Sequence, residues 1–447
     1  MEQENKMGVL PVKKLLFTMS VPMMLSMLVQ ALYNVVDSIY VSHLSDYALT
    51  AVSLSFPIQN LMIAIASGTA VGVNALLSKS LGEKNFETAN KTANTSLFLA
   101  GVSSVLFIIF GLLFSRAFFV TQTDIPEIVQ GGYEYLSICT IFSFGIFGQV
   151  MCERLLQSTG RTIFSMITQT TGAIINIILD PILIFGMFGF PAMGVAGAAA
   201  ATVAGQIVGF FMGVFFNIKF NKDIKLKLSQ IRPHLDIVKK IYIVGLPSIV
   251  MMSIGSVMTF LLNKILFQFT YIATTVFGVY MKLQSFIFMP VFGLTNGLIP
   301  IVAYNYGAKN RARITEAYKT GLVTAIIMML CGTILFNAIP HVLLGFFEAN
   351  EQMLEIGVPA LRIISLCFVF AAYGISCGSI FQALGNGVYS LIVSFTRQIL
   401  FLVPAAFLFS LTGKLNLVWL SFPLAEFSAV ILSTYFLRKI FRQKLTF

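Results

Sequence analysis

Gly82-Glu83-Lys84-Asn85 and Gly307-Ala308-Lys309-Asn310 stand 225 residues apart, and the same offset recurs along most of the chain. Working outward from that pair, Gly72 returns as Gly297, Gln59 as Gln284, Ala48 as Ala273 and Pro22 as Pro247. In the other direction, Gln157-x-x-Gly160 returns as Gln382-x-x-Gly385 and Ser165 as Ser390. Chance does not hold one register for so long, so the chain is a duplicated unit. Duplicated membrane units with a substrate path between the halves are a common plan among secondary transporters.

Composition assigns the unit to a membrane. Hydrophobic residues make up 57 % of the chain, charged residues 11 %, and the mean hydropathy is +0.87, whereas a soluble domain carries roughly 25 % charged residues. Twelve apolar runs are long enough to span a bilayer: about 15–39, 48–78, 95–115, 133–153, 164–186, 193–218, 241–263, 272–303, 319–339, 356–381, 389–411 and 416–437. The eighth carries Pro290 and Pro300, so tilt or a kink is expected there rather than an extra crossing. Six runs per repeat is an even number, and both halves therefore enter the membrane in the same sense. The expected fold is an all-α polytopic membrane protein of twelve transmembrane helices in two six-helix lobes. The first lobe covers residues 1–218, the linker 219–240 and the second lobe 241–447.

Basic residues set the expected orientation. Lys6, Lys13, Lys14, Lys79, Lys84, Lys91, Arg154, Arg161, the seven between Lys219 and Lys240, Lys309, Arg311, Arg313, Lys319 and the tail from Arg438 to Lys444 fall on one side. Only Arg116, Lys264 and Lys414 fall on the other. The positive-inside rule makes both termini and the linker cytoplasmic. The net charge of +11 is thus spread over short loops, which argues against a nucleic-acid surface. Alternating Lys and apolar residues from Lys219 suggest a linker lying on the lipid surface.

Lys13-Lys14 ahead of an apolar run resembles a signal peptide, but that run is too long and contains Asn34 and Asp37. The five cysteines show no Cys-x-x-Cys spacing, and neither a Walker A sequence nor His-Glu-x-x-His is present; disulfides, a structural metal, ATP and zinc chemistry are not expected. The three histidines, His43, His234 and His341, lie in loops, which disfavours a membrane-embedded enzyme.

An ionisable group inside the hydrocarbon is costly and marks function by default. The candidates are Asp37, Asp180, Glu426, Lys282, Arg362 and Arg397, with Glu153 at an inner end. In the first span Gln30, Tyr33, Asn34 and Asp37 share a helical face, and in the fifth Gln169, Asn176 and Asp180 do the same. Pro181 has no amide hydrogen, which frees the Ile177 carbonyl. Asp37 and Asp180 reach a similar depth, with Thr202 of the sixth span near them. Their oxygens can either share protons or hold Na+ at Asp37, Asn176, Asp180 and Thr202. The second-lobe counterparts of the two aspartates are Leu262 and Ala405, so the fold itself does not demand acids there. Arg397 and Glu426 replace Gly172 and Ala201 and can neutralise each other across spans 11 and 12, or line a substrate cavity. Lys282 either faces that cavity or snorkels, and Arg362 snorkels outward. Glu153 and Arg154 are expected to form a surface salt bridge, with the cavity as the alternative for Glu153. Methionines such as Met27 and Met281 can adapt to varied apolar ligands.

Pro22, Gln30, Tyr33, Asp37, Asn176-Ile-Ile-Leu-Asp180-Pro181, the Gly-Ala-Ala-x-Ala-Thr202 stretch and Tyr304-Asn305-Tyr306-Gly307-Ala308-Lys309 together resemble the multidrug and toxic compound extrusion (MATE) family. The resemblance runs over essentially the whole chain. Within that family the chain is similar to the prokaryotic branch named after a DNA-damage-inducible protein. The resemblance implies ion coupling in the first lobe at Asp37 and Asp180, with Gln30, Tyr33, Asn176 and Thr202 around them and Pro22 as a bending point. The chain departs from the family where an Asn of span 4 can join the site, since Phe147-Gly-Gln-Val-Met-Cys-Glu153 stands there, with Gln149 or Glu153 as the candidate substitute. Span 7 also lacks the acid used by another branch.

What this implies is a V-shaped antiporter of the bacterial inner membrane that exports amphipathic, cationic drugs in exchange for H+ or Na+. It would need no cofactor beyond the coupling ion. Its partners would be small molecules and membrane lipids, with no nucleic acid and no obligate protein partner. The alternative within the superfamily is a flippase for lipid-linked precursors, in which Lys282 and Arg397 would bind phosphate.

Overall fold

The computed structural model describes residues 5–347 and 349–446. Hydrocarbon offers no partner for a bare peptide group, so a lipid-facing apolar chain must satisfy its own backbone as helix. Among the described residues ten helices are long and apolar enough to cross a bilayer, and two bent pairs each supply one more crossing. In chain order they are α1 (Val12–Ser42), α2 (Asp46–Gly82), α3 (Phe86–Leu113), α4 (Pro126–Ile141 and Phe144–Ser158, bent by 45°), α5 (Thr162–Phe185) and α6 (Val195–Lys219). The second set is α7 (Leu235–Phe267), α8 (Tyr271–Gly307), α9 (Arg311–Ala338), α10 (Glu351–Ser365 and Phe368–Ala383, bent by 48°), α11 (Gly387–Ser410) and α12 (Leu415–Lys444).

The duplication is carried into the helices residue for residue. α2 and α8 are each 37 residues long, α3 and α9 are each 28, and the bounds of both pairs differ by the 225 residues of the sequence repeat. Even the break recurs, once in α4 and once in α10. One difference is local: α11 contains a π-helical turn at Thr396–Leu402, whereas α5 is α-helical throughout. Pro290 and Pro300 lie inside an unbroken α8, so no extra crossing forms.

The motif that joins the second and third helices of each repeat has a physical basis. Lys84 and Lys309 hold the left-handed conformation, at φ 56° and 55°, at a cost of roughly 1 kcal/mol each for a residue with a Cβ. Asn85 and Asn310 follow, and their side chains accept from the amides of Thr88 and Arg313, which caps α3 and α9. The glycine brings two backbones together. A Cβ on Gly82 would overlap the Tyr304 carbonyl, and one on Gly307 would overlap the Lys79 carbonyl.

Those two contacts are one contact repeated by symmetry, since Gly82 and Gly307, like Lys79 and Tyr304, differ by 225. Gly72 lies against Ile241 and Gly245 while Gly297 lies against Ser20, and Gly68 lies against Ile249 while Gly293 lies against Met24. Each is again a swapped pair. The lobes therefore join through a self-complementary seam of α1 and α2 on α8 and α7. Every seam residue falls in the half of its helix nearest the chain termini. At the far end the first lobe has its own separate core, around Val41, Val52, Tyr135, Ile184 and Ala199. The lobes thus meet at one end and part at the other, as a V.

Two segments reinforce the closed end. Residues 5–11, including the one-turn helix Lys6–Val9, lie beneath both lobes. Asn5 Nδ2 donates to the Thr159 carbonyl and to Asp223 Oδ1 in the first half (3.2 Å each). The Met7 and Leu10 carbonyls accept from Arg313 Nη2 of the second (3.0 and 2.7 Å). Lys6 is enclosed there, and burial, with Arg161 nearby, pulls its ammonium pKa down. The linker is the second segment, and it is tied to the first lobe: Asn90 Oδ1 and Asn94 Oδ1 of α3 accept from the Lys225 and Lys227 amides (2.6 and 3.0 Å). Its alternation is that of an extended chain, with Ile224 and Leu226 turned to the core and the lysines outward.

Candidate functional site

Helices α1, α2, α4, α5 and α6 of the first lobe, with Asn296 of α8 in the second, line a cavity of about 160 Å³. Met27, Gln30 and Tyr33 of α1 line it, with Asn176 of α5 and Thr202 of α6. Three- and four-residue spacings put these polar groups on the inner faces of their helices, and glycines let the helices close around them. Gly172 and Gly205 bring α5 and α6 into backbone contact, and Gly197 lies on the Leu183 carbonyl.

The polar groups are linked. Ser26 Oγ donates to Gln169 Oε1, and Gln169 Nε2 donates to Gln30 Oε1 (2.8 Å), which ties α1 to α5. Asn176 Nδ2 donates to Asp180 Oδ1 (3.3 Å) and to Thr202 Oγ1 (3.2 Å), which ties α5 to α6. Neither aspartate lines the cavity itself. Tyr33, one turn from Asp37, and Asn176, bonded to Asp180, stand between them and the open space.

Three oxygens in and beside this network have no partner: Asn176 Oδ1 and Asp180 Oδ2 within it, and Asp37 Oδ1 one turn from Tyr33, are buried without a hydrogen bond. Carboxylate and amide oxygens only accept, and each such orphan costs about 1 to 3 kcal/mol. A proton on a carboxyl group satisfies one of them, and a hard cation, which prefers oxygen ligands, satisfies several at once. The residues present fit either ion. Pro181 sits inside α5 and leaves the Ile177 carbonyl as one more acceptor.

Other expected site residues fall elsewhere. Asn34 is exposed and outside the cavity lining, because one further residue turns its side chain about 100° from Tyr33. Met281 packs on the large core that runs through both lobes. Lys282 is exposed, with Nζ 6.0 Å from the Phe347 ring centroid, which is a snorkelling geometry. Pro22 lies within a continuous α1. Glu153 is buried and lines the cavity, held by Gln149 Nε2 at 2.9 Å. It makes no surface salt bridge with Arg154, whose Nη1 instead reaches Asn296 Oδ1 of α8 (3.3 Å). The bend in α4 carries these residues inward, and span counting does not see it. Gln149, a candidate substitute for the missing span-4 Asn, lines the cavity beside Glu153, while Arg154 and Asn296 are cavity residues that no local sequence signal marks.

Arg397 and Glu426 do pair, across α11 and α12. They belong to the second lobe, and Gly172, the first-lobe counterpart of Arg397, lines the first-lobe cavity. Glu426→Ala is expected to destabilise the protein by about 3 kcal/mol by stranding the guanidinium, whereas Arg397→Met with Glu426→Leu is expected to be close to neutral. Thermal unfolding in detergent separates the two outcomes.

The chain is similar to known proteins over nearly its whole length. A family model described as MatE matches residues 22–182 and again 247–408. The multidrug export protein MepA of Staphylococcus aureus (strain bovine RF122 / ET3-1) is 23 % identical over 434 residues, covering 96 % of this chain and 94 % of that one. Among solved structures, the outward-facing conformation of a multidrug resistance MATE family transporter of the MOP superfamily superposes with a TM-score of 0.92 at 26 % identity, covering 98 % of both chains. A MOP superfamily transporter from Pyrococcus furiosus, described as having a binding pocket of reversed polarity that suggests a different function, gives 0.91 at 26 % identity and the same coverage.

Proposed function

The chain belongs to the MatE family, a family of multidrug transporters, and on that premise we propose that it is an antiporter exporting amphipathic cationic drugs in exchange for H+ or Na+. The observation that carries the coupling is the set of three partnerless oxygens at Asp37, Asn176 and Asp180. They form an acceptor site in one lobe only, because Leu262 and Ala405 occupy the aspartates' counterparts.

The positive-inside reading makes the terminal end cytoplasmic, so the V opens outward, toward the side from which the driving ion enters. An ion bound in the first lobe neutralises the buried carboxylates and changes what α1 and α5 can pack against. Pro22 and Pro181, which lack amide hydrogens, are the points where those helices yield at least cost. Each charge moving down 100 mV supplies ~2.3 kcal/mol, enough for a gradient of about fortyfold in a neutral solute. The reading places the protein in the bacterial inner membrane. The flippase alternative would use Lys282 and Arg397 as phosphate ligands. Arg397 is paired with Glu426, which makes that reading the weaker one, although Lys282 is exposed with no carboxylate partner among the described residues.

Export of a fluorescent cationic dye from proteoliposomes, under separately imposed proton and sodium gradients, tests the proposal. One gradient is expected to drive dye movement. If neither does, the antiport reading falls.

A further inference from the structure

We propose that the groove between α1 and α9 at the terminal end of the bundle binds the headgroup phosphate of an anionic phospholipid, which thereby bridges the two lobes. Lys13 lies on one side of the groove, and Arg311 and Lys319 on the other. Glu316 and Thr320 complete the polar lining, so the local charge is about two positive. None of the three cations has an ion pair or hydrogen bond among the described side chains. Lys13 and Arg311 lie in the first turns of α1 and α9, where the hydrocarbon gives way to the polar surface, and Lys319 lies about two turns further along α9. The first turn of α9 adds the positive end of a long helix.

Below the basic groups the surface is apolar. Phe17 and Val21 continue the Lys13 face of α1 at intervals of four residues, and Val323 and Ile327 continue the Lys319 face of α9. All four are exposed, at 46, 44, 56 and 56 %. A phosphate site with two apolar rails descending from it matches a phospholipid, headgroup above and acyl chains along the rails.

The repeat supplies an independent reason to expect an occupant. Shifting by 225 maps the α9 wall of the groove, Thr315, Lys319 and Thr320, onto Asn90, Asn94 and Thr95 of α3. In the first lobe those three residues are covered by the linker, through bonds to Lys225, Lys227 and His234. The second lobe presents the same face with a lysine where Asn94 stands, and the described residues leave it open. Chain covers one copy of the face, and lipid covers the other.

The test uses the purified full-length protein and native mass spectrometry, with phosphatidylglycerol, phosphatidylcholine or inorganic phosphate added. Wild type is expected to retain phosphatidylglycerol over phosphatidylcholine, and Lys13→Ala combined with Arg311→Ala and Lys319→Ala to lose on the order of tenfold of that retention. Lys13→Ala and Lys319→Ala alone are each expected to lower it, since bridging needs both walls, while Lys14→Ala does not. Should the triple variant fail to fold, the two single variants are decisive. Equal retention by wild type and variants overturns the proposal, as does an equal loss in Lys14→Ala. Equal thermal stabilisation by inorganic phosphate assigns the site to a free anion and overturns the lipid.

Discussion

Asp37→Asn is expected to abolish ion-driven drug export while leaving the fold intact. The substitution keeps the shape of the side chain and removes the group that can exchange a charge. One of the partnerless oxygens of the first lobe belongs to Asp37, and no acid stands at the equivalent Leu262 to take over. The expected loss is the whole gradient-dependent component, since an amide neither titrates nor carries the negative charge that holds Na+. Proteoliposome export under the driving gradient, with thermal unfolding as the control for folding, checks it. Export equal to wild type removes Asp37 from the coupling site. Loss of unfolding temperature together with export assigns it a packing role instead.

Gly72→Val is expected to be nearly as damaging for a different reason. The residue lies where α2 touches α7, and a Cβ there would overlap the Ile241 carbonyl. Backbone on both sides of the contact leaves no flexible side chain to move aside. The lobes would have to separate along the seam, which disfavours the state closed at the terminal end. A penalty of about 3 kcal/mol would cut the population of that state more than a hundredfold. Spin-label distances between the far ends of α2 and α8 should shorten, and export should fall in proportion. Gly297→Val, the symmetric partner at Ser20, is expected to behave alike, whereas Gly101→Ala, which meets nothing within 4 Å, should be silent. A silent Gly72→Val would mean that the seam is not a conformational lock.

The polar helix faces around the first-lobe cavity are legible in the sequence because their signals are local. Helical spacing alone puts Gln30, Tyr33 and Asp37 on one face, and the failed repeat at Leu262 and Ala405 singles out the aspartates. Spacing misled at Asn34, where one residue of phase decides between cavity and exposure. The expected surface pair of Glu153 and Arg154 does not form: Glu153 is held by Gln149 one turn earlier on its own helix segment, and Arg154 finds Asn296 in the other lobe, a partner that local sequence does not show. The linker's alternation reflects Ile224 and Leu226 turned to the core, but its place on the first lobe is set by Asn90 and Asn94, more than a hundred residues away.

By itself the amino-acid sequence determined that this chain is a duplicated bundle of twelve crossings in two lobes. Hydropathy and an offset of 225 are properties of the chain, and a bilayer permits almost no other solution for such residues than helix. Only the tertiary structure decided which glycines form the seam, which end of the V is closed, and which oxygens are left without partners. Those are relations between helices distant in sequence. Backbone approach, hydrogen-bond satisfaction and an open groove exist only once the lobes have packed.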